Sequence, residues 1–338
     1  MKKTILATLA IASMMSCSNE ELLEAPAQQA ITFGNTFVEN APATRAAYDG
    51  SYTTSSLTQF QVYGTITNTS DATGRVFKGE VVENKFGTWT LYGVTQYWIP
   101  GNTYNFWGIA DGNVKGATSV DAPEELKYVP QTITVDASQQ KDVLWATRTF
   151  ENFQSPDGTV VEFNFHHLMA KAKFTVKNTI KTNSGYSYKV SNLTIKGVEK
   201  NGVYDITNKA WGVADTPATY DLPFGNAVTT GTDTGADADY IEFDGRKESN
   251  YERLLIPSNK KLNITFNCEI YKDHILIASE ERTVTTTNTV NLEPGKAYNL
   301  IISLANPGEE ITFDVNAVEE WDTDHDDNGT KNDETPIN

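Results

Sequence analysis

The chain has 338 residues and a formal net charge of −17, from 27 Lys and Arg against 44 Asp and Glu. That balance repels phosphate backbones, which excludes nucleic acid as a partner and argues against an anionic ligand gathered by the general field. The length suits two domains, each able to bury a core, and nothing after residue 17 is apolar for long enough to cross a membrane as a helix.

Lys2 and Lys3 begin a leader whose apolar run, Ile5 to Ala12, is about eight residues and too short to span a bilayer. It closes on Met14-Met15-Ser16-Cys17 and resembles the signal of a bacterial lipoprotein, in which the Cys17 thiol is acylated, for example with palmitate. Residues 1–17 then form the signal peptide and lipidated cysteine. The chain would be anchored to the outer membrane through lipid, each buried methylene contributing about 0.8 kcal/mol. Ser18-Asn19-Glu20-Glu21 resembles the acidic stretch that sends such lipoproteins to the outer face. In residues 18–45 the pattern predicts a strand within Gln28 to Val38, with Ile31, Phe33 and Phe37 in one phase, and then the turn-prone run Glu39 to Thr44. Arg45-Ala46 follows, a bond that a trypsin-like protease could cut to release the strand from its sheet. Taken alone, Arg45 reads as a surface arginine.

Strand signals dominate the remainder. Phe60 to Ile66, Tyr104 to Ile109, Val160 to Phe165, Lys171 to Val176 and Tyr298 to Leu304 are short, rich in β-branched or aromatic residues, and mostly alternating. Turn residues punctuate them at Ser70 to Gly74, Pro100-Gly101, Ser155 to Gly158, Asn201-Gly202, Asp244-Gly245 and Pro294-Gly295. Only Ala122 to Leu126 and Ala137 to Lys141 have helical composition. The fold class is all-β, built of sandwiches. The break at Ser155 to Gly158 divides an N-terminal sandwich, residues 46–158, from a C-terminal one, residues 159–321. Ala227 to Asp239 has no apolar pattern and reads as a loop, and the acidic tail 322–338 reads as disordered.

No catalytic constellation is evident, so the expectation is a protein that is not an enzyme and carries no cofactor. His166 and His167 point to opposite sides of a strand and cannot easily share one metal, which makes them structural. His274 sits in a hairpin-like turn. Asp324-His325-Asp326-Asp327-Asn328-Gly329 opens like a calcium loop, but its twelfth position is Thr335 in place of the bidentate Glu. Trp89, Tyr92, Tyr97, Trp98, Tyr104, Phe106 and Trp107 could form a glycan platform. Tyr104 and Phe106 face one way and Trp107 and Ile109 the other, so a strand packed on both sides is the better reading. Cys268 is placed on the polar phase of its strand, and with Cys17 acylated no internal disulfide can form.

Together the leader, Ile31 to Phe33 leading to Thr44-Arg45-Ala46, Tyr97-Trp98, Tyr104 to Trp107, Asp142 to Ala146 and Phe165 to Phe174 resemble the fimbrillin superfamily of Bacteroidetes type V pili. Gly202 to Asp205, Pro294 to Asn299 and Val318 to Trp321 extend the resemblance over nearly the whole chain. It implies two transthyretin-like Greek-key β-sandwich domains in tandem, a cell-surface lipoprotein precursor, and a subunit of an extracellular pilus (fimbrium) serving adhesion. It also implies that an arginine-specific surface protease removes the strand of Ile31, Phe33 and Phe37 by cutting between Arg45 and Ala46. A C-terminal strand of the next subunit would then fill the groove by strand addition. The matching donor is 311–318, whose Ile311, Phe313 and Val315 alternate like Ile31 and Phe33. The implied partners are other pilin subunits, the protease, the outer membrane, and a host or bacterial surface receptor. If 311–318 is a fixed strand of the second domain, the chain is a tip or accessory subunit. A monomeric surface lipoprotein that binds glycan is the alternative from another class.

Overall fold

A computed structural model of the protein describes residues 29–34, 36–38, 57–110, 113–115, 127–129, 140–154, 158–178, 184–205, 208–214, 216–223, 228–229, 240–242, 253–304, 307–308 and 310–320. Every regular element among them is a β-strand. Residues 122–126, one of the two stretches of helical composition, lie outside the described residues; in the other, Gln140 and Lys141 are not helical. The acidic tail 322–338 also lies outside them, and of 227–239 only Val228–Thr229 are described, as a short strand.

The largest sheet has seven strands in the order β2 (Phe37–Val38), β11 (Asn164–His167), β9 (Leu144–Phe153), β6 (Asn102–Ala110), β3 (Gln59–Thr67), β4 (Thr73–Lys85) and β5 (Thr88–Tyr92). Next to it β1 (Thr32–Phe33) pairs with β10 (Val160–Val161), and both β1–β10 and β2–β11 are parallel. Apolar side chains alternate between two covered faces. On β6, Tyr104 and Phe106 enter a first core with Phe60, Phe77 and Phe165, while Ile109, with the partly buried Trp107 against it, enters another cluster with Tyr63 and Trp145. The expected two-sided packing of this strand is what the structure has. Gly108 leaves room on the first face: a Cβ there would stand 2.7 Å from Cζ of Phe165.

Two further sheets face each other in the C-terminal half. One runs β18 (Tyr240–Glu242), β12 (Ala170–Asn178), β24 (Lys296–Leu304), β25 (Thr312–Glu320), with β19 (Arg253–Leu255) also on β12. The other runs β16 (Thr219–Pro223), β13 (Tyr186–Glu199), β21 (Asn263–Lys272), β22 (Ile275–Thr285), with β17 (Val228–Thr229) on β13. Phe174, Leu300 and Ile302 from the first meet Tyr188, Ile195 and Phe266 from the second in one core. Cys268, expected on the polar phase, is fully buried in that core. Counting along the strand explains the correction: Ile264, Phe266, Cys268 and Ile270 are two apart and share one face.

A four-stranded sheet, β15 (Ala210–Gly212), β14 (Val203–Asp205), β8 (Lys127–Val129), β7 (Asn113–Lys115), and the pair β20 (Asn259–Lys260) and β23 (Val290–Asn291) complete the fold. The halves meet where Leu168, Met169, Tyr204 and Leu254 pack with Ile109 and Trp145. There the Leu254 amide donates to Oε1 of Gln140 at 2.8 Å, and Trp211 Nε1 donates to the Leu168 carbonyl at 2.6 Å. Residues 160–167, read from the sequence as the start of the second domain, pair here with strands of the first half. Their Val161, Phe163 and Phe165 lie in its core. Alternation marks a strand but does not say which sheet it joins.

Candidate functional site

The segment 29–38 is set into the first half from outside its main sequence block. Its amides and carbonyls are used on both flanks: Ile31 N donates to the Gln96 carbonyl at 2.8 Å and Trp98 N to the Gln29 carbonyl at 2.9 Å. On the other flank Gly34 N donates to the Val161 carbonyl at 3.1 Å, and the Gly158 amide donates to Oε1 of Gln29 at 3.2 Å. Ile31 and Phe33 are only 2 and 5 % exposed. The Phe33 ring is held at 5.6 Å from Phe77 and 6.1 Å from both Phe60 and Phe163. Burying each such side chain stabilises by about 1.5–3 kcal/mol, so the slot is an apolar one that disfavours standing open.

The segment does not keep one phase. Phe33 pairs with Val161 and Phe37 with Asn164, so four steps on the segment match three on its partner. The extra residue acts as a bulge and reverses the faces. Ile31 and Phe33 are buried before it, Thr36 and Val38 after it. The backbone of Phe37 is in the ladder, and its side chain lies outside the described residues.

Cys17, Arg45 and Ala46, expected for lipidation and cleavage, lie outside the described residues as well. Ile311, Phe313 and Val315, the expected donor residues, are in or before β25, which is antiparallel to β24 with Phe313 opposite Ile302 and Val315 opposite Leu300. Phe313 is buried in the C-terminal core, and Ile311 and Val315 pack against it partly exposed. Among the described residues β25 stands at the edge of its sheet, with β24 as its one neighbour there.

His166 is exposed and His167 buried, on opposite sides of β11. Nδ1 of His167 donates to Oδ2 of the fully buried Asp142, whose Oδ1 accepts from the Val143 amide at 2.8 Å. Sequence reading missed this hydrogen-bonded pair because its members are 25 residues apart, and only the β9–β11 register brings them together. Among the described residues no group of three or more His, Cys, Asp or Glu side chains could hold a metal ion. The calcium-like run beginning at Asp324 lies outside them. Trp98, Tyr104 and Phe106 are buried, with Trp98 at 4.4 Å from Phe153 and 4.8 Å from Tyr104, so this part of the aromatic cluster is core and no glycan platform.

The arrangement defines an all-β protein of packed sheets in which an N-terminal segment occupies a slot between strands of the first half. Residues 44–321 match the fimbrillin-like family, and the chain belongs to that family. Among solved structures it is similar to a fimbrial protein from Bacteroides vulgatus, with 12% identity, a TM-score of 0.56, and coverage of 78% of this chain and 92% of that one. A putative cell adhesion protein from Bacteroides ovatus is 17% identical with a TM-score of 0.44, covering 87% of this chain and 97% of that one. No match is found among curated proteins.

Proposed function

We propose that this chain is a non-enzymatic structural subunit of a surface fimbrium serving adhesion, exported as a lipoprotein through Cys17 and assembled by strand exchange after cleavage between Arg45 and Ala46. The observation that carries the reading is the segment 29–38. It fills an apolar slot in the first core, yet it precedes the stretch 44–321 that matches the family. Cleavage at Arg45 would detach it at that boundary. The partners are further pilin subunits, an arginine-specific protease, the outer membrane and a surface receptor.

Energetics favour exchange over loss. An emptied slot leaves Phe60, Phe77 and Phe163 without the Phe33 ring, an open apolar site that a replacement strand would close. β25 supports the role of donor because leaving costs it one ladder only, and Phe313 trades one apolar site for another. Each ladder bond contributes about 0.5–1.5 kcal/mol net, and a ladder formed in the slot would offset the one lost to β24. The decisive experiment is N-terminal sequencing of protein sheared from cell surfaces as fibres. Ala46 is the expected first residue. Recovery of only a diacylated Cys17 form would overturn the reading in favour of a monomeric surface lipoprotein.

A further inference from the structure

The sequence 31–39 is Ile-Thr-Phe-Gly-Asn-Thr-Phe-Val-Glu, and 311–319 is Ile-Thr-Phe-Asp-Val-Asn-Ala-Val-Glu. The two stretches carry the same residue at the first, second, third, eighth and ninth positions, at a constant offset of 280. At the second and third positions the two stretches behave alike, while Ile31 is buried and Ile311 partly so. Thr32 and Thr312 are exposed, and Phe33 and Phe313 are buried.

The slot determines which further positions must match. Among the segment's described side chains after Phe33, the buried ones are those of Thr36 and Val38, because of the extra residue before Phe37. A donor that simply alternated beyond Phe313 would offer Val315, which corresponds to position 35. The residue that corresponds to Val38 is Val318, and Asn316 brings a polar side chain to the place of Thr36, whose buried hydroxyl has no hydrogen-bond partner. β25 also tolerates an extra residue in its present sheet, where three steps from Asn316 to Glu319 match two from Asn299 to Ala297.

Resting on the strand-exchange reading above, we propose that the acceptor's partner is a second copy of this chain, and that Ile311, Phe313 and Val318 take the places of Ile31, Phe33 and Val38. The chain is thereby self-complementary, and Val318 replaces Val315 as its third anchor. The donor enters parallel to β10 and β11, as the departing segment does.

Engineered cysteines test the register. Thr312 would stand beside Val160, as Thr32 does, and Ala317 beside Asn164, as Phe37 does. Adjacent strands lie about 4.8 Å apart, within disulfide reach. Thr312 and Val160 are both exposed in the present structure, and Cys268 is buried and will not compete. Cells expressing only the full-length chain as T312C/V160C, as A317C/N164C or as N316C/N164C are oxidised at the surface and run on a non-reducing gel. Fibre yield under reductant serves as the assembly control. The expected result is a covalent ladder from the first two variants and monomer from the third. A ladder from the first and third, with none from the second, overturns the register and leaves strand exchange standing. Fibres without a ladder from any variant overturn strand exchange itself. Absence of fibres from the wild-type chain expressed alone, with fibres restored by another subunit, overturns the second copy as partner. Independently, Val318→Asp is expected to stop fibre assembly and Val315→Asp to permit it; the reverse outcome overturns Val318 as the anchor.

Discussion

Gly108 lies where the Phe165 ring crosses β6, and the position has no spare space. Gly108→Ala should destabilise the protein by about 1–3 kcal/mol through overpacking, read as a lower urea midpoint with an unchanged slope. Phe33→Ala should cost the uncleaved precursor more, about 3–5 kcal/mol, because the ring is buried among Phe60, Phe77 and Phe163 and its loss leaves a cavity. Cys268 gives a chemical readout of the second core. Burial pushes its thiol up to about 11, so very little thiolate exists at pH 7.5. Iodoacetamide should leave it unlabelled in the native processed protein and modify it fully in guanidinium; rapid native labelling would show that the second core opens readily. The parity of Cys268 was legible from Ile264, Phe266 and Ile270 alone. The Asp142–His167 pair was not, because nothing in the spacing of two distant polar residues reveals that a strand register will bury them together.

Strands such as β3, β6, β12 and β24 were legible because side-chain alternation follows from the pleat itself. Allegiance was not, since β10 and β11 look like strands of either half, and their pairing with β1, β2 and β9 depends on residues far away in the chain. The reversal of phase after Phe33 was hidden for the same reason: it is a property of two strands compared, and one strand by itself does not carry it. β22 shows another limit of pattern reading. Among the described residues it is an edge strand, and Ile275, Leu276 and Ile277 at its start are 68, 51 and 52 % exposed. Substituting all three by Thr should change unfolding free energy by less than about 0.5 kcal/mol per site. It should also lower self-association at high concentration, as seen by light scattering, because an apolar exposed edge invites pairing. A large loss of stability would mean that this end of β22 is covered in solution.

For the molecule as a whole, the proposed cleavage between Arg45 and Ala46 would decide between two fates. Arg45→Ala should hold 29–38 in its slot and accumulate a lipidated monomer with an unchanged β-rich spectrum. Fibres from that variant, checked by electron microscopy of sheared material, would show that release of the segment is not needed for assembly. The placement of this segment also orders events in time. Gln29 and Thr32 are made before their partners Gly158 and Val160, which follow about 130 positions later, and the parallel pairing of Lys171 with Ala297 imposes a similar wait on β12. A chain with such distant pairings folds slowly, since the ends of long loops must meet before any contact rewards them. Until residues 158–164 have been made, then, the segment 29–38 lacks the strands it pairs with. The segment is seated only after the middle of the protein has emerged, so its docking is a late step of folding.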